Sequence, residues 1–191
     1  LIFLLISLLS CRDDVIIKND YLKFSKNILD YRITPKDSID KSGLMFSDQG
    51  AWFAYGLSNT IGTIENFSGP FLLTEQNGAW SSSSLSSIRL SIGDHPVYLK
   101  KENINYQSSY SSHLEQQLDL NGINLKESLL YLNGNTVLIK YEFTNEEDFN
   151  NEVTYYWENQ DLMINSLKIS SVENAIEIKS SKTDAIGHIL F

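Results

Sequence analysis

Cysteine is almost missing from this 191-residue chain. The single one excludes an internal disulfide framework and any cysteine-rich metal cluster. Three histidines, at positions 95, 113 and 188, are too scattered for a histidine-based zinc site, so no metal or cofactor is expected. Basic residues are also scarce, 15 against 24 acidic ones for a net charge of −9. Without a Lys and Arg cluster to release counterions from phosphates, nucleic acid is not expected as a partner. Helical periodicity is nearly absent, and no apolar run approaches the ~20 residues that a spanning helix needs. What the chain does contain is 42% hydrophobic and 12% aromatic residues, enough to build a core. Its length fits a single domain of ~100 to 200 residues.

Residues 1–10, Leu-Ile-Phe-Leu-Leu-Ile-Ser-Leu-Leu-Ser, form an apolar run that stops at Cys11. Too short to span a bilayer, the run suits the apolar part of an export signal, although neither an initiator Met nor a basic start precedes it. Leu8-Leu9-Ser10-Cys11 resembles a bacterial lipobox, which implies cleavage before Cys11 and lipid attachment to it. The following Arg12-Asp13-Asp14 looks like the surface-export signal of some Gram-negative lipoproteins. Acyl chains on Cys11 would then tether the protein to the lipid bilayer of the cell envelope, each buried methylene contributing ~0.8 kcal/mol. The alternative is a buried strand with an inert thiol. At the other end, Ala185 to Phe191 reads as a strand that stops without a polar tail, so the expectation is a fragment cut at both ends. The chain divides into a signal segment at 1–11, a lead-in at 12–40 and a β domain at 41–191. In the lead-in, only Ile28, Leu29, Tyr31 and Ile33 hint at a packed face.

From residue 43 onward the hydrophobic period is two. Val137, Ile139, Tyr141 and Phe143 alternate with Lys140, Glu142 and Thr144, as a half-buried strand requires. Ile123, Leu125, Leu129 and Tyr131 share one parity before it, and Leu114, Leu118 and Leu120 precede them. Asn121-Gly122 and Asn133-Gly134 fit type I′ turns, whose twist suits paired strands. A three-strand meander follows, over 112–120, 123–131 and 136–144. Ile88 to Ile92 and Val97 to Leu99 flank Gly93-Asp94-His95-Pro96 as a hairpin. Further short strands at 155–157, 164–169, 175–179 and 186–190 have the spacing of sandwiches and barrels. Ser81 to Ser84 reads as a surface loop, with Trp80 at its edge. The fold class is all-β, an antiparallel sandwich of hairpins and meanders.

One segment is more specific. Met45-Phe46-Ser47-Asp48-Gln49-Gly50-Ala51-Trp52-Phe53-Ala54-Tyr55-Gly56-Leu57 leads to Asn66-Phe67-Ser68-Gly69-Pro70-Phe71-Leu72-Leu73-Thr74-Glu75. An Asp-x-Gly-Ala-Trp element, a Phe-x-Gly-Pro element and a Leu-Leu-Thr-Glu strand in this order resemble the N-terminal domain of bacterial α-glucosidase-like members of glycoside hydrolase family 63, relatives of eukaryotic processing glucosidase I. The similarity covers roughly residues 28–160, and 46–75 carries its specific part. It implies a β-sandwich of the super-sandwich type packed on a C-terminal (α/α)6 barrel, with an oligosaccharide as substrate. The catalytic acid and base would be barrel carboxylates acting with inversion, for which ~6.5 to 9.5 Å between the carboxyl groups leaves room for water. This chain has no length left for that barrel and would be the non-catalytic front domain. Where relatives tend to carry His after the Trp, this sequence has Phe53, so a polar contact made there is not carried over.

The candidate substrate-binding or domain-interface residues are therefore Asp48, Trp52, Phe53, Tyr55, Phe67, Gly69 and Pro70. Gly50, Gly56 and Gly69 permit close backbone approach, and Pro70 fixes the chain leaving the turn. If 51–57 is a strand, Trp52 and Tyr55 point to opposite faces. Trp52 is expected to pack in the core or against another domain rather than on a sugar. Asp48, Glu65, Glu75 and Asp94 lie near the glycine-rich turns, but a chain with this many acids offers such pairs by chance. No Gly-x-Ser-x-Gly elbow or Asp-x-Asn-x-Asp-Gly calcium spacing occurs. Asn66-Phe67-Ser68 matches a glycosylation acceptor. The rival to the enzyme domain is a free-standing, lipid-anchored carbohydrate-binding module using Trp80 or Tyr110, and a structural lipoprotein is the bland third reading.

Overall fold

The computed structural model describes residues 26–60, 66–73, 77–120, 122–145, 152–158 and 162–190. The signal segment with Cys11, the start of the lead-in, Glu65, Glu75, Asn121 and Phe191 lie outside these residues. The described part is all-β and sandwich-like, with one turn of 3-10 helix at Lys101–Asn103. No helix among the described residues is long and apolar enough to cross a membrane.

Every strand-to-strand pairing is antiparallel. One sheet has the order β1 (Phe53–Leu57), β2 (Phe67–Leu72), β3 (Ala79–Trp80). The second joins β4 (Ser87–Ile92) to β5 (His95–Pro96) on one side and β10 (Val153–Glu158) on the other. The third is the meander β6 (Ile104–Ser109), β7 (His113–Asp119), β8 (Ile123–Asn133), β9 (Thr136–Asn145). The fourth is β11 (Leu167–Val172), β12 (Ala175–Ser180), β13 (Ile186–Leu190).

Period-two alternation explains how the meander packs. Leu114, Leu118, Leu125 and Leu129 are fully buried on its inner face. Leu118, Leu120, Ile123 and Leu125 form a cluster with Ile88 and Leu90 of β4. Leu114 and Leu129 form another with Phe46, Leu57 and Phe67. The meander thus packs against both β4 and the β1–β2 hairpin. Each buried aliphatic side chain contributes about 1.5–3 kcal/mol. A third cluster gathers Ile33, Ala54, Phe71 and Trp80 around that hairpin.

A polar row crosses this aliphatic face. Gln107, Gln116, Glu127 and Tyr141 lie directly opposite one another on β6, β7, β8 and β9. Gln116 and Glu127 are fully buried. Gln107 Nε2 donates to Ser58 O at 2.7 Å and to Gln116 Oε1 at 3.0 Å, and Gln116 Nε2 donates to Glu127 Oε2. Burying these amides and the carboxyl is tolerable because they bond one another.

Several expectations need correction. Trp80 is not at a loop edge but 0% exposed, its indole N–H donating to Asp40 O at 2.6 Å. The serine run is likewise interior: Ser81, Ser82 and Ser84 are buried, and Ser81 donates to Pro70 O through both its amide and its hydroxyl. A serine is small enough to pack inside once its hydroxyl has such an acceptor. The turn between β8 and β9 is not type I′ at Asn133-Gly134: neither has positive φ, Asn133 pairs with Thr136, and its Oδ1 accepts the Asn135 amide. The strand after Gly93-Asp94 starts at His95 and Pro96, inside the expected turn, and Val97 extends the hairpin, its amide donating to Leu90 O at 2.8 Å. Part of the lead-in belongs to the core, since Ile33 N donates to Leu57 O and Leu57 N to Tyr31 O. Ile28 and Leu29 are exposed.

Candidate functional site

The β1–β2 hairpin holds most of the residues that carry the family resemblance, because Phe53 pairs with Leu72, Ala54 with Phe71 and Leu57 with Phe67. Phe67 is buried in the cluster with Leu114 and Leu129. Tyr55 packs against that cluster, and burial raises its hydroxyl pKa. Phe53 stacks on Tyr131, ring centroids 5.9 Å apart, and meets Tyr55 edge-on at 5.9 Å. Tyr131 Oη in turn donates to Phe53 O at 2.7 Å. These aromatics hold the hairpin against the meander. Gly69 has φ +124°, and a Cβ there would lie 3.1 Å from Ala54 O, so glycine is required where β2 passes the irregularity in its pairing with β1. The Gly69-Pro70 peptide is cis, and Pro70 O receives both Ser81 donors.

Trp52 and Asp48 differ from the rest because they face water. Trp52 is 59% exposed, which corrects its placement in the core of this chain. Its backbone is fixed on both sides: Trp52 N donates to Gly134 O at 3.0 Å, and Trp52 O accepts from Leu73 N at 2.9 Å. Gly134 leaves room for this approach, since a Cβ on it would sit 2.7 Å from Gly50 O. Asp48 O accepts from Ala51 N and its Oδ1 from Gln49 N, so Asp48 shapes the turn that presents the indole. An exposed indole on a tethered backbone offers an apolar face to a partner at little ordering cost.

The chain matches no protein-family model and no curated protein.

The richest titratable cluster lies elsewhere, around Glu115 of β7. Tyr106 Oη donates to Glu115 Oε1 at 2.7 Å, Lys126 Nζ reaches Oε2 at 2.8 Å, and His113 Nε2 is 3.7 Å from Oε2. Burial pushes the Glu115 carboxyl up, but the Lys126 and Tyr106 hydrogen bonds outweigh it, and the net shift is downward. Burial lowers the His113 pKa despite its attraction to Glu115. The Tyr106 hydroxyl is raised, by burial first and then by donation to Glu115. Every oxygen of this carboxylate is already occupied, so the cluster clamps β6, β7 and β8 rather than leaving a free acid or base.

Other candidates disperse. Tyr110 is half-buried and stacks on His113, centroids 4.4 Å apart, so its ring is not an open sugar platform. Asp94 and His95 are exposed in the β4–β5 turn, on a different sheet from the hairpin beside Asp48. No group of three or more His, Cys, Asp or Glu side chains gathers for a metal among them. Asn66 of the glycosylation acceptor is 0% exposed, and its Oδ1 accepts the Ile88 amide at 2.8 Å, so its side chain serves the fold. Among the described residues, one surface cleft of about 230 Å³ lies beside Asp30, Arg32 and Gln107, and another of about 720 Å³ beside the β4–β5 turn. The sequence reading passed over both the buried Gln116 and Glu127 and the larger cleft. The signal for the first was available as two polar residues at inward parity among leucines.

Proposed function

We propose that this chain is the non-catalytic β-sandwich layer of a family-63-like glycoside hydrolase that cleaves α-glucosidic linkages with inversion. The catalytic carboxylates lie, on this reading, in an (α/α)6 barrel outside these residues, with an oligosaccharide as substrate. Support comes from the motif at 46–75 together with the all-β architecture, which is what such a layer requires. The observation that carries the reading furthest is Trp52, a large indole exposed on a rigid turn within the motif, where a second domain would find an anchor. Exposed tryptophans are among the residues most often used as anchors at interfaces. The residues of the chain then divide the work: Phe53, Tyr55 and Phe67 hold the hairpin, Gly69 fits β2 against β1 at the irregularity in their pairing, Pro70 O receives the Ser81 donors, and Asp48 aims Trp52. The same proposal anchors the protein to the envelope of a Gram-negative bacterium through acylated Cys11.

Expressing the intact gene and following glucose release from α-linked gluco-oligosaccharides by NMR tests the reading. It expects β-glucose as the first anomer formed, and lower activity and weaker domain association in Trp52→Ala. An intact gene product without glucosidase activity refutes it. Palmitate labelling that survives Cys11→Ser would refute the anchor alone.

A further inference from the structure

The larger cleft lies on the second sheet and is not part of the Trp52 turn. Its floor is Ile92, Val97 and Leu120, all packed on the cluster that joins β4 to the meander. Its rim carries Asp94, His95, Lys100 and Glu102, all exposed, with Lys100 Nζ 3.6 Å from Glu102 Oε1. At its mouth stands Tyr98, 80% exposed, the most exposed large aromatic ring among the described residues. The ring is held out by its neighbours, because Val97 and Leu99 on either side both pack inward on the core. The loop itself is pinned: Val97 N donates to Leu90 O at 2.8 Å, Lys100 N donates to Asn103 Oδ1 at 2.8 Å, and Asn103 Nδ2 donates to Asp119 O at 2.8 Å. An outward tyrosine on a braced loop, beside a cleft of about 720 Å³, has the size and the mixed apolar and polar lining of a ligand site.

The lining selects the ligand. A purely apolar molecule would desolvate Asp94 and Glu102 without hydrogen bonds in return, which is costly. An anion would meet two carboxylates against the one ammonium of Lys100, which already faces Glu102, on a chain of net charge −9. A neutral polyhydroxyl ring satisfies both features: its C–H face covers the tyrosine, while vicinal hydroxyls donate to the carboxylates and bond the imidazole. We infer that the cleft bounded by Tyr98, Asp94, His95 and Glu102 is a neutral-carbohydrate binding site, separate from any catalytic centre. The inference goes beyond the proposed function and needs no barrel. A single glycan chain held here would raise its local concentration at whatever else the protein carries.

Isothermal titration of the 191-residue chain with maltohexaose, isomaltohexaose and cellohexaose, run separately, tests it. At least one is expected to bind, with Tyr98→Ala weakening it about tenfold or more. Glu102→Gln, which keeps a hydrogen-bonding group but no charge, is expected to weaken it less. Thermal melting of Tyr98→Ala is expected to match the parent, since the ring is exposed. Absence of heat with all three sugars overturns the inference, as does Tyr98→Ala binding at parental strength. Neither result bears on glucosidase activity of the intact gene product, so the two readings fail separately.

Discussion

Replacing Trp80 and Trp52 with alanine, one at a time, measures which indole the fold rests on. Trp80 is fully buried, with its ring edge-on to Phe71 at 5.1 Å and its N–H on Asp40 O. Burying an aromatic side chain removes about 150–250 Å² from water, or roughly 4–6 kcal/mol at ~25 cal/mol per Å². Because unfolded chains already hide part of that surface, ~3–5 kcal/mol is the better expectation, and it agrees with the usual range for aromatic-to-alanine changes in cores. Trp52 is 59% exposed, so the same arithmetic on the covered remainder gives about 2 kcal/mol as a ceiling. Its two backbone hydrogen bonds survive the substitution. Urea unfolding followed by far-UV circular dichroism reads both, with an unchanged slope required for comparison. A domain of ordinary stability, ~5–15 kcal/mol, loses a large fraction through Trp80→Ala, so Trp80→Phe, which leaves the Asp40 carbonyl without its indole donor, serves as a milder companion at about 1–2 kcal/mol. Equal losses at the two sites, or a larger one at Trp52, would refute the burial reasoning.

Asn66→Ala leaves the buried Ile88 amide without its acceptor and is expected to cost about 1–3 kcal/mol, read as a lower urea midpoint. Stability is expected to fall in acid in two stages. The folded protein binds a proton at His113 less readily than its ordinary 6.5, so stability drops as pH falls from 6.5 through the lowered value. Glu115, held below its ordinary 4.5, contributes stability present above 4.5 and lost as pH falls through its folded value. In a series of melts against pH, His113→Phe should flatten the first stage and leave the second. Gly134→Ala forces a Cβ against Gly50 O and is expected to cost about 1–3 kcal/mol while shifting the Trp52 amide resonance, seen in a ¹⁵N spectrum.

The meander was legible because a half-buried strand writes its own alternation: Val137, Ile139 and Tyr141 sit on β9 where their parity says. The pairing of β10 with β4 was not, since partners so distant along the chain leave no local mark. Trp80 was misread from its neighbours. Asn77-Gly78 and four serines look like a loop in one dimension, but Asn77 and Gly78 turn with positive φ and deliver the indole to a pocket built by Ile33, Ala54 and Phe71. For Trp52, expected in the core or against another domain, size suggested burial; the ring is exposed in this chain, which removes only the core half of that expectation. Within residues 46–75 the sequence names candidates, but their division into hairpin supports and one exposed ring depends on packing that no spacing encodes. The cleft at Tyr98 depends on a loop braced by Asn103, a contact across the fold that carries no periodic signal.

The polar row from Gln107 to Tyr141 also decides how the strands may slide. An inner face of leucines alone would look much the same after β7 shifted two residues along β8, since such a slip keeps every side chain on its own face. Only in the observed alignment does Gln116 stand opposite Glu127. A shift of two residues either way sets Leu114 or Leu118 against that interior carboxyl and strands the amide. Two residues thus make a degenerate ladder unique, a task the leucines around them cannot perform.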